Sequence, residues 1–137
     1  MDSSDLRPSI FFIETDDDTR DILRRNLKQY GYHLIMALDE EDALERVSDG
    51  HFHADLIIAN FEEPSARVLD SARRICAAAG LAAATPIVVI SSEYPAELSG
   101  QDVAVSATEY VTYLDAPFQL QRLLHSLLPV GEGNGMA

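Results

Sequence analysis

The sequence contains a single cysteine, Cys76, among its 137 residues. One cysteine cannot form a disulfide within the chain, which fits a reducing compartment. It stands in the alanine-rich run RRICAAAGLAAA, where a small buried apolar residue is a better interpretation than a nucleophile. No apolar stretch is long enough to cross a membrane, and the N-terminus lacks a basic start followed by an apolar run. We therefore predict a cytoplasmic protein without a signal peptide or membrane contact.

Basic residues are also scarce, with 10 Lys and Arg against 23 Asp and Glu and a net charge of −13. DNA or an anionic membrane would repel such a surface unless a basic patch intervened. The two small basic groups, at 24–28 and 73–74, are typical of solvated helix faces. We therefore predict no nucleic-acid binding by this domain. Lys28 is the only lysine in the chain.

The chain alternates between strand-like and helix-like segments. Short runs rich in β-formers predict five strands, at 9–13, 32–37, 54–60, 86–91 and 109–114. Helical spacing of apolar residues predicts helices within 15–31, 39–50, 65–80 and 117–128. Five strand–helix units of this kind predict a parallel sheet covered by helices on both faces.

Local signals set several boundaries of these segments. Asp39 is suited to cap the second helix, and Gly80 to end the third. Pro95 and Gly100 interrupt the segment 93–107, so we expect only a short helix there. The last helix is predicted to turn one apolar set to the core: Phe118, Leu120, Leu123, Leu124 and Leu127.

The two ends of the chain are poor in apolar pattern. Residues 1–8 are polar, and residues 129–137 are rich in glycine. We therefore predict a disordered N-terminus at 1–8, one folded domain at 9–128 and a flexible tail at 129–137.

Ligand sites in parallel α/β sheets lie at the carboxyl ends of the strands. The first predicted strand ends in Glu14-Thr15-Asp16, the third in Asn60 and the fourth in Ser91-Ser92. Asp115-Ala116-Pro117-Phe118 follows the fifth. These strand-end residues are the candidates for a functional site.

Their order and spacing resemble the receiver domain of two-component response regulators. The resemblance covers roughly residues 8–128 and includes Pro64, four residues after Asn60, and the strand-four segment PIVVIS. It implies a flavodoxin-like fold, in which a doubly wound five-stranded parallel sheet has the strand order 2-1-3-4-5.

The resemblance also implies a chemistry. Receiver domains bind Mg²⁺ with an acidic pair after the first strand and phosphorylate an Asp at the end of the third. A Ser or Thr after the fourth strand and a Lys before the Pro-Phe pair contact the phosphoryl group. Such a site needs an anionic nucleophile and cations that offset the phosphoryl charge.

Carried over position by position, several of these groups are missing. Asn60 stands at the phosphoacceptor position, Thr15 at the second acidic position and Ala116 at the lysine position. Glu14 keeps the first acidic position, and Ser91 keeps the hydroxyl. The aromatic residue that reports activation in the family corresponds to Tyr113, and Asp16 completes the vestigial pocket.

We interpret the chain as a non-phosphorylatable receiver-like module, not an enzyme, that acts through protein–protein interaction. Its expected partners are signalling proteins such as a histidine kinase or another regulator, and the oligomeric state stays open. No cofactor is expected, although Glu14, Asp16 and the carbonyl of Glu62 could bind Mg²⁺ weakly. The family also implies a cis peptide bond between Ala116 and Pro117.

Three alternatives remain. A register shift would place Asp16 and Asp17 at the acidic positions. An atypical response regulator could accept a phosphoryl group on another carboxylate, such as Glu62 or Asp16, with a divalent cation. A flavodoxin-like cofactor binder would need a first loop rich in Ser, Thr and Gly, which the loop ETDDDT opposes.

Overall fold

The computed structural model describes residues 7–91 and 94–128, with the side chain of Pro117 excepted. The termini predicted to be disordered lie outside these residues, apart from residues 7 and 8, and their disorder stays a prediction. No helix within the described ranges is long and apolar enough to span a membrane.

A single mixed sheet forms the centre of the described chain. Its six strands follow the order β2-β1-β3-β4-β6-β5. The first five in this order pair in parallel, and β5 pairs with β6 antiparallel. The strands are β1 (Ser9–Glu14), β2 (His33–Ala37), β3 (Leu56–Asn60), β4 (Ile87–Ile90), β5 (Asp102–Ala104) and β6 (Glu109–Thr112).

The described segments contain four α-helices, of which the first three connect parallel strands and the fourth follows the last strand. They are α1 (Asp17–Gln29), α2 (Glu40–Arg46), α3 (Ser65–Ala79) and α4 (Pro117–Leu127). Asp39 caps α2 as predicted, because its side chain accepts a hydrogen bond from the Asp42 amide at 2.8 Å. Gly80 ends α3 with a φ of 69°, a left-handed conformation that glycine adopts without strain.

Alternating side chains of the strands pack into two cores, one on each face of the sheet. Phe11 and Ile57 belong to the core that also contains Val68 and Ile75 of α3. Phe12 belongs to the opposite core, where the leucines of α1 and α4 pack. Because both faces of the sheet are buried, the central strands have continuous apolar sequences.

Two forked ion pairs connect α3 to its neighbours. Arg74 donates to both carboxylate oxygens of Glu40 on α2, at 2.7 and 2.8 Å. Arg73 does the same to Glu109 on β6, at 2.7 and 2.8 Å. The arginines lower the pKa of both carboxyls. Because these ion pairs are partly exposed, they contribute little to stability, and their main effect is to orient α3 against its neighbours.

The predicted fold class is confirmed, with one difference in the strand count. The parallel strands follow the predicted order 2-1-3-4-5, in which β6 is the fifth. The segment 93–107 was predicted to contain only a short helix, and its described part contains a short 3₁₀ helix, Ala96–Leu98. The strand β5 that follows it was not predicted. Pro95 and Gly100, with a φ of +81°, oppose a continuous helix, and a β-branched residue, Val103, favours the strand.

Two expectations were wrong. Phe118 is 63% exposed, and its neighbour Gln119, only 2% exposed, takes the buried position at the start of α4. Gln119 turns inward because it has hydrogen-bond partners there, at Thr112 and Asp102. No cis peptide bond occurs in the described backbone, which contradicts the cis bond expected between Ala116 and Pro117.

Candidate functional site

The parallel register of β1 and β3 brings two predicted site residues together. Glu14 pairs with Asn60 at the carboxyl ends of these strands. The Asn60 side-chain nitrogen Nδ2 donates a hydrogen bond to Glu14 Oε1 at 2.6 Å. The register that places Asp16 and Asp17 at the acidic positions is therefore wrong, because β1 ends at Glu14 and Asp16 already caps α1.

The Glu14 carboxylate is held from both sides inside the protein. Its second oxygen, Oε2, accepts from the Asp16 backbone N–H at 3.0 Å, and the side chain is 2% exposed. Burial raises the pKa of the Glu14 carboxyl above its ordinary 4.5, while the hydrogen bonds from Asp16 and Asn60 oppose the shift. Both oxygens therefore serve internal partners.

This raised pKa predicts how Glu14 affects stability with pH. A carboxyl whose pKa is raised by folding stabilises the folded state fully at pH values below its pKa in the unfolded chain. This contribution is lost as the pH rises through its pKa in the folded protein. We expect the free energy of unfolding of the wild type, minus that of Glu14→Gln, to fall as pH rises above 4.5. Urea denaturation of both proteins at a series of pH values measures this difference. A difference that rises with pH would contradict the assignment.

Arg20 supplies the positive charge at this end of the sheet. Its Nε and Nη2 atoms donate to the Glu14 backbone oxygen at 3.0 and 2.9 Å, and Nη1 contacts Asp17 Oδ1 at 2.7 Å. Hydrogen bonds from the side chain and the backbone of Thr19 lower the pKa of Asp16, and the Leu38 backbone N–H lowers that of Asp42. The Arg20 guanidinium adds a smaller effect in the same direction at both carboxyls. Arg20 thus fixes the β1–α1 turn from within α1.

Thr15, another candidate residue, lies with two acidic side chains along an open groove. Thr15, Glu62 and Glu63 border a volume of about 670 Å³ between the N-terminal ends of α2 and α3. All three are exposed. Arg67 and Arg74 also line the groove, so its rim carries both signs of charge.

The remaining predicted site residues lie at the ends of β4 and β6. Ser91 is buried, and its backbone N–H donates to the Thr112 oxygen at 3.0 Å. Ala116 is exposed at the start of α4 and lines a small cavity against α1. Tyr113 is half-buried, with its ring edge-on to Tyr94 at a centroid distance of 5.3 Å.

The two carboxylates among the metal candidates, Glu14 and Asp16, already have hydrogen-bond partners. Within the described residues, no group of three or more His, Cys, Asp or Glu side chains is placed to hold a metal ion. Glu14 accepts from Asn60 and Asp16, and the Asp16 side chain accepts from the Thr19 amide at 2.8 Å. The carboxylates present are used for a helix cap and an internal pair.

The fold is that of response-regulator receiver domains. It is similar to the chemotaxis protein CheY4 of Vibrio cholerae, at 21% identity and a TM-score of 0.62, over 89% of this chain and 99% of that one. It is also similar to the response regulator TrrA of Thermotoga maritima, solved with Mg²⁺ and BeF, at 24% identity and a TM-score of 0.63, over 88% and 99%.

A third similar structure is the receiver domain of the hybrid histidine kinase CckA, at 24% identity and a TM-score of 0.54, over 87% of this chain and 98% of that one. No protein-family model matches the sequence, and no curated protein matches it either. At such identities the similarity establishes the fold, and the residues of the site have to carry the function.

Sequence reasoning missed two polar residues of this region, Arg20 and Gln119. Each is fixed by partners on other elements: Arg20 by the Glu14 backbone oxygen, and Gln119 by Thr112 and Asp102. The signal for Arg20 was an arginine in the first turn of α1 beside an acidic run. That pattern is also typical of a solvated helix.

Proposed function

We propose that this chain is a receiver-fold signalling module that acts through protein–protein contacts and accepts no phosphoryl group at position 60. The observation that carries the proposal is the 2.6 Å hydrogen bond from Asn60 Nδ2 to Glu14. An amide has no anionic oxygen to attack phosphorus, and this one is oriented by donating to a buried carboxylate. The strand-end position is therefore occupied by a donor rather than a nucleophile.

The surrounding charges support the same proposal. A transferred phosphoryl group needs cations close to its oxygens. Ala116 supplies none, and Lys28, the only lysine in the sequence, is exposed in the last turn of α1. The acidic side chains Glu62 and Glu63, together with Thr15, line the groove beside the site. Arg67 borders the same groove, while Arg20 is bonded to Asp17 and Arg74 to Glu40. The missing ammonium at position 116 is therefore what disfavours a phosphoryl dianion here.

The proposal predicts no phosphoryl uptake by the wild type. The test is incubation with an acyl phosphate donor and Mg²⁺, followed by intact mass measurement. The matched variant carries Asn60→Asp, Thr15→Asp and Ala116→Lys, which restore the three missing groups, and we expect it to gain one phosphoryl group.

A phosphoryl group on the wild type would overturn the proposal. Peptide mapping would then show whether Asp16 or Glu62 accepts it, as an atypical phosphoacceptor would require. Asp16 already caps α1 through its contact with Thr19, so modification there would also expose the first turn of the helix.

The proposed partner is another signalling protein, such as a histidine kinase or a second regulator, in the cytoplasm. The similar receiver domain of CckA belongs to a hybrid histidine kinase, which gives one context for such a fold. In this view the module presents a constant docking surface, since no phosphorylation equilibrium shifts its conformation.

A further inference from the structure

A buried polar cluster joins three elements near the end of β6. Thr112 and Gln119 are 0% and 2% exposed. The Gln119 nitrogen Nε2 donates to Asp102 Oδ1 at 2.9 Å and to Thr112 Oγ1 at 3.1 Å. The Thr112 hydroxyl donates to Asp102 Oδ1 at 2.6 Å. At its other end, Gln119 Oε1 accepts from the Asp115 backbone N–H at 2.9 Å.

Residues 94–105, here called the strap, also bond along the edge of the sheet. Gly100 N donates to the Tyr113 oxygen at 2.8 Å, and Tyr113 N donates to the Gln101 oxygen at 2.8 Å. Farther along, Val105 N donates to the Glu109 oxygen at 2.7 Å. The Tyr94 hydroxyl donates to the Leu114 oxygen at 2.6 Å. The strap therefore contacts both β6 and the loop that follows it.

We propose that the strap and the β6–α4 loop, residues 113–116, form one coupled unit that Gln119 holds in a single conformation. The inference deepens the proposed function, because it names what fixes this part of the surface without phosphorylation. Gln119 is a positioning residue, since one end of its amide holds the loop at Asp115 and the other holds the strap at Asp102.

The physical reason for the coupling is the cost of a half-broken cluster. If the strap left β6 alone, Thr112 and Gln119 would lose the Asp102 acceptor while still buried. Unsatisfied buried polar groups are costly, so the strap and the loop should open together. Ala116 lies in that loop, at the position that the resemblance matches to the family's lysine.

Hydrogen exchange tests the coupling. The variant Gln119→Met keeps the length of the side chain and removes both of its polar atoms. We expect the amides of Gly100, Val105 and Tyr113 to exchange faster in it, by a common factor of about tenfold to a hundredfold. None of these amides bonds to the Gln119 side chain, but Tyr113 N shares its acceptor, the Gln101 oxygen, with Gln119 Nε2 at 3.3 Å. Gly100 and Val105 are therefore the independent reporters of the strap. Amides of β1 and β3 should keep their rates, and so should the whole chain in Gln121→Met, a matched change on the same helix.

The loop is reported by the Asp115 amide in Asp102→Ala, a change that leaves its acceptor, Gln119 Oε1, in place. An increase there that is confined to Gly100 and Val105 would overturn the inference. So would a wild type in which the Gly100 and Val105 amides exchange as fast as those of exposed loops. If Gln119→Met does not fold, Asp102→Ala removes the shared acceptor from the exposed end and should give the same joint increase. If the wild type takes up a phosphoryl group while the strap and the loop exchange together, only the proposed function is contradicted.

If the wild type takes up no phosphoryl group and the strap and the loop exchange independently, only the present inference is contradicted.

Discussion

Replacing Phe11 with alanine is expected to lower the free energy of unfolding by about 3–5 kcal/mol. The ring is fully buried in β1, and it packs against Phe52 with a centroid distance of 4.7 Å. Its removal leaves a cavity among elements of the sheet and α3 that cannot all collapse into it. The total free energy of unfolding of a domain of this size is about 5–15 kcal/mol, so urea denaturation should show a large shift of the midpoint.

Phe118→Ala is the matched control for this prediction. Its ring is 63% exposed at the start of α4, so the same truncation should change stability by no more than about 0.5 kcal/mol. Equal losses in the two variants would contradict the observed exposure of Phe118. A loss for Phe11→Ala below about 1 kcal/mol would contradict its place in a well-packed core.

The parts of the fold that follow from local sequence were predicted well. Consecutive β-branched and aromatic residues of 9–13 and 86–91 identify strands that are buried on both faces. Asp39 and Gly80 mark helix ends through bonds and backbone angles that involve only near neighbours. These signals need no knowledge of the rest of the chain.

The strap could not be predicted in the same way, because its partners are distant in sequence. Asp102 meets Thr112 and Gln119, which lie 10 and 17 residues away. The helical pattern placed Phe118 inward because it is apolar, yet hydrogen bonds turn the adjacent Gln119 inward instead. Here tertiary contacts outweigh the hydrophobic pattern.

The candidate site was predictable to the extent that strand register determines it. Parallel strands end at one edge of the sheet, so Glu14 and Asn60 were expected to be neighbours, and the structure pairs them. The direction of their contact was not predictable. It depends on the side-chain angles that bring the Asn60 amide to Glu14 Oε1 and leave Oε2 to the Asp16 amide.

The pairing of Glu14 with Asn60 makes Asn60→Asp the most informative single change at the site. The variant would place a second carboxylate at the position from which Asn60 donates across 2.6 Å to the Glu14 oxygen. Two carboxylates so close cannot both ionise without a cation. We expect the free energy of unfolding to fall by about 2–4 kcal/mol at neutral pH. The buried Glu14 carboxylate loses the amide that donates to it and comes to lie beside a second negative charge.

The loss should depend on pH in a defined direction. The two carboxyls would titrate as a pair whose folded-state pKa is raised, so the folded variant binds an extra proton above about pH 4. A raised folded pKa means that stability is complete at low pH and is lost as pH rises. The variant should therefore approach the wild type in acid and diverge from it toward neutral pH, by up to about 1.4 kcal/mol per pH unit.

The double variant Glu14→Gln with Asn60→Asp reverses the polarity of the pair and tests its geometry. The amide introduced at position 14 can donate to the carboxylate introduced at position 60, while its oxygen accepts from the Asp16 N–H, which in the wild type bonds to Glu14 Oε2. We expect the double variant to recover most of the stability that Asn60→Asp loses, with a coupling of about 1–3 kcal/mol in a double-mutant cycle. Additive losses would mean that the Glu14 carboxylate is not the partner of position 60. Recovery would mean that position 60 accepts a carboxylate when its neighbour at position 14 is neutral.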